Sequence, residues 1–340
     1  MNSQALIDTA AALVADDKGL LAMDESTPTC NKRFAVYGIP QNEDYRRAYR
    51  ELLITTPGLS TYISGAILYD ETILQNTQDG TSMITALTAA GIIPGIKVDT
   101  GAPALAGHPG EQVSAGLDGL RERLADYARL GARFAKWRAK FVVKADLPSH
   151  GCIEANAHAL ARYAALSQEA GMVPIVEPEV LMDGDHSLAR CRTVTETVQH
   201  AVFAQLRSQR VLLEGIILKP NMVLPGTDSA ESVTTDMIAE ATIGALLRTV
   251  PAAVAGVAFL SGGQTPERAT VRLNAMHVRY AACLPWALTF SFSRALQQPV
   301  LEIWRGAADN AQAAQRALLQ RALCNHAARR GTYVSTTEPS

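Results

Sequence analysis

Short apolar runs that end in polar or charged residues recur along this chain roughly every 30 to 45 residues, from about residue 20 to residue 294. Stretches with helical spacing of apolar residues separate these runs, except between the second and the third. Alternating strands and helices predict a parallel sheet, and eight such units over roughly 250 residues predict a closed (β/α)8 barrel, a TIM barrel of the α/β class. The eight runs begin near Lys18, Tyr62, Ile92, Phe134, Val173, Val211, Gly256 and Trp286.

Both ends of the chain extend beyond this barrel. Apolar spacing predicts an N-terminal helix over residues 3–16 and a C-terminal helical extension over 295–304 and 309–329. We expect a flexible tail from about 331 to 340, and one domain over 1–340 because no Pro-, Gly- or Ser-rich linker divides the chain. A doubly wound open sheet is the alternative fold, and the lack of a GxGxxG motif at a first strand–helix turn argues against it.

Composition narrows the class of protein. The formal net charge of −2 over 340 residues provides no general field for nucleic acid or for a membrane surface, so we expect neither partner. No apolar run has transmembrane length, and the first 20 residues lack the basic segment of a signal peptide. Five Cys residues without a CxxC pair disfavour a disulfide framework or a zinc site. We expect a cytoplasmic protein.

Polar side chains stand at the carboxyl ends of the predicted strands, where barrel enzymes carry their chemistry. Two of these strands carry pairs of charges at alternate positions, so each pair faces one way. Charges that face a barrel interior must pair with each other or with a substrate. The strand-end residues are Asp24, Lys97, Lys136, Arg138, Glu177, Glu179, Lys219, Ser261 and Arg294.

Lys219 is the candidate nucleophile. It ends an apolar run and precedes Pro220, which stops a central strand from continuing. Loss of hydration would favour the neutral amine, and a neutral amine attacks a ketone to form a Schiff base. Lys97 and Lys136 on neighbouring strands would favour the neutral form further by like-charge repulsion. The alternative is a strand-end lysine that extends into solvent.

The carboxylates supply the remaining parts of a retro-aldol reaction. Glu177 is the candidate for moving protons during imine formation and hydrolysis. Glu179 would orient a lysine through an ion pair, and Asp24 would take a hydroxyl proton while the adjacent C–C bond breaks. None of the seven His residues forms an HxH, HxxH or HExxH pattern, so we predict neither a metal nor another cofactor.

Anion-binding residues form two further clusters. Ser261, Gly262 and Gly263 follow the seventh strand, and the eighth strand ends with Ser291 and Arg294. Backbone N–H groups of a Gly-rich turn can approach a phosphate closely, and the loops after strands seven and eight are the frequent phosphate site of this fold. The second cluster, Lys32 and Arg33, follows the first strand. Two anion sites on opposite sides of a reactive lysine would suit a sugar bisphosphate.

These residues lie within motifs that resemble those of class I fructose-bisphosphate aldolase. The motifs follow the family order over nearly the whole chain: LLAMDEST (20–27), NKRF (31–34), PGIKVD (94–99), AKWR (135–138), VEPE (176–179), LLEGIILKPNM (212–222), FLSGGQ (259–264) and SFSRALQ (291–297). The resemblance implies a TIM barrel that cleaves fructose 1,6-bisphosphate reversibly into dihydroxyacetone phosphate and glyceraldehyde 3-phosphate. It also implies sugar phosphates as the small-molecule partners, and a homotetramer.

The resemblance assigns each residue a role. Lys219 is similar to the Schiff-base lysine, Glu177 to the general acid/base, Glu179 to the carboxylate that positions the lysine, and Asp24 to the group that handles the C4 hydroxyl. Lys97, Lys136 and Arg138 resemble active-site cations. The 1-phosphate site corresponds to Ser261, Gly262, Gly263, Ser291 and Arg294, and the 6-phosphate side to Arg33 with Lys32, Ser26 and Thr29.

Two positions depart from the family pattern. Ser293 stands where animal members have Gly, and we expect phosphate binding to survive because only a backbone N–H is needed there. Animal members end in a Tyr that assists proton transfer, whereas here Tyr333 lies seven residues before the end. Tyr333 is therefore a candidate for tail proton transfer or an ordinary tail residue. The alternative functions are another lysine-dependent barrel lyase, such as a transaldolase or keto-acid aldolase, and a catalytically silent scaffold.

Overall fold

A computed structural model describes residues 2–334 of the chain. Its eight strands pair in parallel in chain order, and β8 pairs back with β1, so the sheet closes. The closed sheet confirms the predicted (β/α)8 barrel. The strands are β1 (Gly19–Ala22), β2 (Ile63–Leu68), β3 (Ile93–Lys97), β4 (Phe134–Phe141), β5 (Val173–Val180), β6 (Ile217–Leu218), β7 (Gly256–Phe259) and β8 (Ala287–Phe292).

Helices surround the barrel and cover its amino-terminal end. Several start at Ser or Thr caps whose side chains accept a backbone N–H bond, as at Ser149, Ser187 and Thr265. The helices are α1 (Ser3–Leu13), α2 (Thr27–Val36), α3 (Glu43–Ile54), α4 (Asp70–Ile73), α5 (Met83–Ala89), α6 (Leu120–Leu130), α7 (His150–Glu169), α8 (Leu188–Ser208), α9 (Thr235–Thr249), α10 (Pro266–Tyr280), α11 (Arg294–Trp304) and α12 (Ala311–Arg329). Short 3-10 turns occur at Leu59–Thr61, Leu213–Gly215, Ala281–Cys283 and Ala308–Asn310.

The structure differs from the expectations of the sequence at three places. The apolar run 211–219 is mostly a 3-10 turn and extended chain, with only Ile217–Leu218 paired as strand β6. The stretch between β3 and β4 is helical only from Leu120, because residues 99–119 form a loop. Helix α2 was not predicted, since its sequence TPTCNKRFAV has little apolar periodicity, although Pro28 in the first turn is a helix-start signal.

The interior of the barrel is filled by side chains and closed below by α1. Leu13 of α1 is fully buried in the same cluster as Leu20 and Phe134 inside the barrel. Gly95 allows this packing, because a Cβ atom there would lie 2.2 Å from the Phe134 ring. The carboxyl ends of the strands therefore remain the open side of the barrel, as the sequence predicted.

The last described helix holds the chain ends together. Arg329 of α12 donates to the backbone carbonyls of Val14 and Lys18, next to the start of β1. Residues 331–334 continue from α12, and the N–H of Thr332 donates to the carbonyl of Ala327 at 3.0 Å. The rest of the predicted flexible tail, 335–340, lies outside the described residues. None of the helices described over 2–334 is long and apolar enough to cross a bilayer.

Candidate active site

A cavity of about 1020 Å3 lies at the carboxyl ends of the strands. Barrel closure explains its position, because parallel strands direct all their carboxyl ends to one side. The cavity gathers nearly all the residues predicted from the sequence: Asp24, Ser26, Thr29, Lys32, Arg33, Lys97, Lys136, Arg138, Glu177, Glu179, Lys219, Ser261, Gly262, Ser291 and Arg294. Gly263 and Tyr333 do not line it.

Glu177 lies at the centre of the cavity between two lysines. Its Oε1 is 3.2 Å from the Nζ of Lys219, and its Oε2 is 3.2 Å from the Nζ of Lys136. The Nζ of Lys136 is also 2.6 Å from the Oδ2 of Asp24. All four side chains are buried. The Oε2 of Glu177 accepts no hydrogen bond from the described residues, since its contact with Lys136 lacks hydrogen-bond geometry.

The charges in this centre fix its protonation. Burial alone would raise the pKa of Glu177, but the ammonium groups of Lys136 and Lys219 outweigh it and hold that pKa below its usual value. The same balance lowers the pKa of Asp24. Burial would lower the pKa of Lys136, yet the Asp24 and Glu177 carboxylates raise it. Asp24 and Glu177 are therefore ionised at neutral pH beside a protonated Lys136.

The two lysines expected to repel the charge of Lys219 both have carboxylate partners. The Nζ of Lys97 is 2.7 Å from the Oδ1 of Asp99. Lys136 is paired with Asp24 and Glu177. Carboxylates thus offset the positive charges whose repulsion was expected to act on Lys219, and that effect stays a prediction. The carboxylate of Glu177 is a proton acceptor beside Lys219.

Glu179 pairs with an arginine rather than a lysine. Its Oε2 is 3.0 Å from the Nη1 of Arg138, which donates to it. The two residues lie near each other because β4 and β5 pair with Arg138 opposite Glu177, two positions from Glu179. The expected ion pair of Glu179 with a lysine does not occur in this structure, and Glu179 orients Arg138 instead.

The loops after β7 and β8 present unbonded groups to the cavity. Ser261 and Ser291 are buried, and the Oγ of Ser291 has no hydrogen-bond partner in the described residues. Gly262 and Gly263 adopt the left-handed conformation, with φ of 57° and 93°. Gly263 packs against the guanidinium of Arg294, since a Cβ there would lie 3.3 Å from it. Burial, with some repulsion from Arg33, lowers the pKa of Arg294.

The two predicted anion clusters share one wall instead of facing each other. The Nη1 of Arg33 donates to the Oγ of Ser293 at 3.1 Å, and Ser293 immediately precedes Arg294. Barrel closure explains this contact, because β1 pairs with β8 and the loops that follow them are neighbours. The expected placement of Arg33 on the opposite side is therefore wrong. Ser26 and Thr29, whose hydroxyls are 3.1 Å apart, begin the same wall.

Glu25 is the main residue that the sequence interpretation missed. Its Oε1 is 2.5 Å from the Nη1 of Arg33, and its Oε2 accepts from buried Arg50. Burial would raise the pKa of Glu25, but the two guanidinium groups lower it to about 2. Ser293 donates to the same carboxylate at 2.6 Å, so its side chain helps to hold Arg33. The position next to Asp24 was the available signal for Glu25.

Two more cavity residues, Asp99 and Lys140, were also missed. Each lies two positions beyond a predicted strand-end residue, so strand alternation indicated both. Tyr333 lies elsewhere: it is buried, and its backbone N–H donates to the Oδ1 of Asn274 in α10 at 3.0 Å. Its role in proton transfer stays a prediction. No group of three His, Cys, Asp or Glu side chains within residues 2–334 is arranged to hold a metal ion.

A closed parallel barrel with a buried Lys–Glu pair in a polar cavity at the carboxyl ends of its strands fits a lysine-dependent carbon–carbon lyase. The family model described as fructose-bisphosphate aldolase class-I matches residues 5–340. A probable fructose-bisphosphate aldolase class 1 of Xanthomonas axonopodis pv. citri is 54% identical, over 98% of this chain and 99% of the relative. The cytosolic fructose-bisphosphate aldolase 4 of Arabidopsis thaliana is 51% identical, over 96% of this chain and 83% of the relative.

A solved structure is also similar. It is the fructose-bisphosphate aldolase of Plasmodium falciparum in complex with TRAP and a small-molecule inhibitor, with a TM-score of 0.96, 45% identity and coverage of 98% of this chain and 96% of that one. The chain belongs to the class I fructose-bisphosphate aldolase family. It is a metal-independent lyase that cleaves fructose 1,6-bisphosphate reversibly through a lysine Schiff base.

Proposed function

We propose that Lys219 is the Schiff-base nucleophile and that Glu177 moves the protons that this chemistry requires. The observation that carries the proposal is the 3.2 Å contact between the Nζ of Lys219 and the Oε1 of Glu177 inside a buried cavity. Transfer of one proton from the ammonium to the carboxylate produces a neutral amine and a carboxylic acid together. The amine adds to the ketone carbon, and one of its protons passes to the ketone oxygen to give a carbinolamine.

Loss of water completes the imine. Protonated Glu177 gives its proton to the carbinolamine hydroxyl, which leaves as water, and the lone pair of the Lys219 nitrogen forms the protonated imine. Glu177 returns to the carboxylate form. The ammonium of Lys136 lies 3.2 Å from its Oε2 and favours that form electrostatically.

Asp24 is the proposed base for C–C cleavage. It is ionised and buried, and it lies 2.6 Å from the Nζ of Lys136. The carboxylate takes the proton of the C4 hydroxyl, the C3–C4 bond breaks, and its electron pair moves towards the imine nitrogen to form an enamine. The C4 carbon leaves as an aldehyde. Protonation at C3 and hydrolysis then release the second product and restore Lys219.

The phosphate groups are proposed to bind at two places along the mouth of the cavity. Ser261, Ser291 and Arg294, with the Gly262–Gly263 turn, suit the 1-phosphate. Ser261, Gly262, Ser291 and Arg294 line the cavity, and the Oγ of Ser291 has no hydrogen-bond partner in the described residues. Ser26, Thr29 and Lys32 suit the 6-phosphate from the wall that α2 forms. Arg33 lies between the two sets, where Glu25 and Ser293 hold it.

Trapping of the imine tests the nucleophile. The enzyme is incubated with dihydroxyacetone phosphate and reduced with borohydride, and the adduct is mapped by mass spectrometry. We expect one stable adduct on Lys219. The K219M variant should lose the adduct, whereas K144M should keep it because Lys144 is exposed outside the cavity. An adduct on another lysine, or none in the wild type, would contradict the assignment.

Three further proposals concern the cellular location, the number of subunits and the number of domains. A cytoplasmic location is supported by the cytosolic relatives in Arabidopsis thaliana. A homotetramer and a single domain over 1–340 are proposed from the family resemblance and the uninterrupted barrel. Light scattering after size-exclusion chromatography measures the number of subunits directly.

A further inference from the structure

A row of three cations lines the cavity along β4. Lys136, Arg138 and Lys140 occupy alternate positions and face the cavity, whereas Trp137 and Ala139 between them are buried on the other side of the strand. The first two cations are neutralised: Lys136 by Asp24 and Glu177, and Arg138 by Glu179. Lys140 forms no ion pair or hydrogen bond with the residues that the structure describes, although it is partly buried.

The surroundings of Lys140 favour a bound anion. Burial, with repulsion from Arg138, lowers the pKa of Lys140, and the attraction of Glu179 and Asp99 does not outweigh these effects. Glu179 lies opposite Lys140 on β5, but its carboxylate is paired with Arg138. The charge of Lys140 therefore has no ion-pair partner among the described residues and costs free energy in this partly buried position. A ligand anion would remove that cost and form a charge-assisted hydrogen bond with the ammonium group.

Lys140 shares its unbonded state with the phosphate-site candidates. Arg294 and Lys32 also line the cavity, and neither forms an ion pair or hydrogen bond within residues 2–334. The three unpaired cations are distributed around the cavity mouth: Arg294 follows β8, Lys32 belongs to α2, and Lys140 lies on β4. Since β4 is four strands from β8 in the closed barrel of eight, Lys140 stands across the mouth from Arg294.

This placement suits a ligand with an anion at each end. A phosphate beside Ser261 and Arg294 leaves the remainder of the substrate chain to pass Lys219 and Glu177. Beyond them lie the β3 and β4 strands, whose outermost unpaired cation is Lys140. We propose that Lys140 binds the distal phosphate of a ketose bisphosphate, the phosphate remote from the ketone, from the β4 side of the mouth, in addition to Ser26, Thr29 and Lys32 from the α2 side. Lys140 thereby sets the preference for bisphosphates over ketose 1-phosphates. This inference rests on the proposed function.

Steady-state kinetics tests the proposal with K140M, which removes the charge and keeps the apolar stem. We expect K140M to raise KM for fructose 1,6-bisphosphate about tenfold, the loss expected for one charge-assisted hydrogen bond, and to leave KM for fructose 1-phosphate unchanged. K140R should restore most of the bisphosphate preference. K144M, a charge loss at an exposed lysine outside the cavity, should change neither KM.

An unequal effect on the two substrates supports the proposal. An equal effect on both, or none on either, overturns it. If K140M fails to fold, K140Q gives the same comparison because it also removes the charge.

A binding measurement separates this proposal from the catalytic assignment. Hexitol 1,6-bisphosphate and hexitol 1-phosphate have no ketone, so they bind without a Schiff base. Calorimetry should show weaker binding of the bisphosphate to K140M, again about tenfold, with unchanged binding of the monophosphate. Failure to trap an adduct on Lys219 would refute the catalytic assignment and leave this result standing. Unchanged binding of the bisphosphate would refute the role of Lys140 alone.

Discussion

The two carboxylate oxygens of Glu177 face different lysines, Oε1 towards Lys219 and Oε2 towards Lys136, each at 3.2 Å. One oxygen can therefore exchange a proton with the nucleophile while the other remains beside a fixed positive charge. Without the lysines, a carboxyl group buried to this extent would tend to stay protonated. The lysines keep it ionised, so it begins the reaction as a base and becomes an acid only after it has taken a proton.

Replacement of this carboxylate should slow the chemical steps more than binding. We expect E177Q to lower kcat about 100- to 1000-fold, because an amide cannot accept the proton of Lys219 or return it to the carbinolamine. The fold should survive, since Gln has nearly the same shape. The measurement is kcat and KM for fructose 1,6-bisphosphate in the variant and in the wild type.

E154Q is the matched control, because Glu154 lies on α7 outside the cavity. It should retain wild-type turnover. A kcat for E177Q within about twofold of the wild type would remove Glu177 from its proposed role.

Among the secondary-structure elements, α1 has a distinct mechanical role. It lies outside the repeating strand–helix units, yet Leu6, Ala10 and Leu13 are buried in the cluster that fills the barrel interior. The helix therefore supplies the bottom layer of the barrel core. The interior above it is so tightly packed that a side chain larger than that of Gly65 would not fit, since a Cβ there would lie 2.8 Å from Leu13.

Truncation of Leu13 should destabilise the whole barrel. We expect L13A to lower the free energy of unfolding by about 3 kcal/mol, because it leaves a cavity where the surroundings cannot collapse easily. Urea denaturation followed by circular dichroism measures this loss. L247A makes the same substitution in α9, where the residue is 46% exposed, and it should lower the free energy of unfolding much less. Similar losses in the two variants would show that α1 does not support the barrel core.

The elements that the sequence predicted best are those with clear periodicity. The long helices and the strands of four to eight residues could be located to within a few positions in most cases. The bounds of β6 could not be predicted, because apolar residues on both sides of Glu214 and Gly215 do not distinguish a strand from a tight turn. The chain uses Leu213–Gly215 for the turn. Helix α2 was not predicted, because polar residues that line the cavity interrupt the apolar periodicity of its sequence.

Site residues were predictable where strand position alone decided them. Lys219, Glu177 and Lys136 follow from strand ends and alternation. The contact between Arg33 and Ser293 depends on which loops are neighbours, and that requires the closure of β8 onto β1. The carboxylates that neutralise Lys97 and Lys136 depend on side-chain geometry, which no spacing rule provides.

At the scale of the whole molecule, Glu25 joins three separate parts of the chain. Its carboxylate accepts hydrogen bonds from Arg33 of α2, from Ser293 and from Gln297 of α11. Its backbone carbonyl accepts one from Arg50 of α3. The folded state lowers the pKa of Glu25 from 4.5 to about 2. Its contribution to stability is therefore present above about pH 4.5 and is lost as the pH falls towards 2.

The E25Q variant tests the contribution of Glu25 to the free energy of unfolding. We expect it to be about 3 kcal/mol less stable at neutral pH, because Arg33 and Arg50 lose their buried counter-charge. Its stability should also fall less than that of the wild type between pH 4.5 and about 2. Urea denaturation at several pH values measures both effects. E169Q, at an exposed pair with Arg121, should change neither, and parallel acid curves for E25Q and the wild type would contradict the assignment.

The seam between β1 and β8 joins the barrel strand that a ribosome makes first to the barrel strand that it makes last. At this seam the hydroxyl of Thr289 donates to the carbonyl of Lys18 at 2.8 Å. A nascent chain that has emerged only as far as β7 exposes two strand edges, on β1 and on β7, and lacks both Ser291 and Arg294. The barrel can therefore close only after β8 has emerged, and until then the growing chain has two open strand edges that expose it to aggregation.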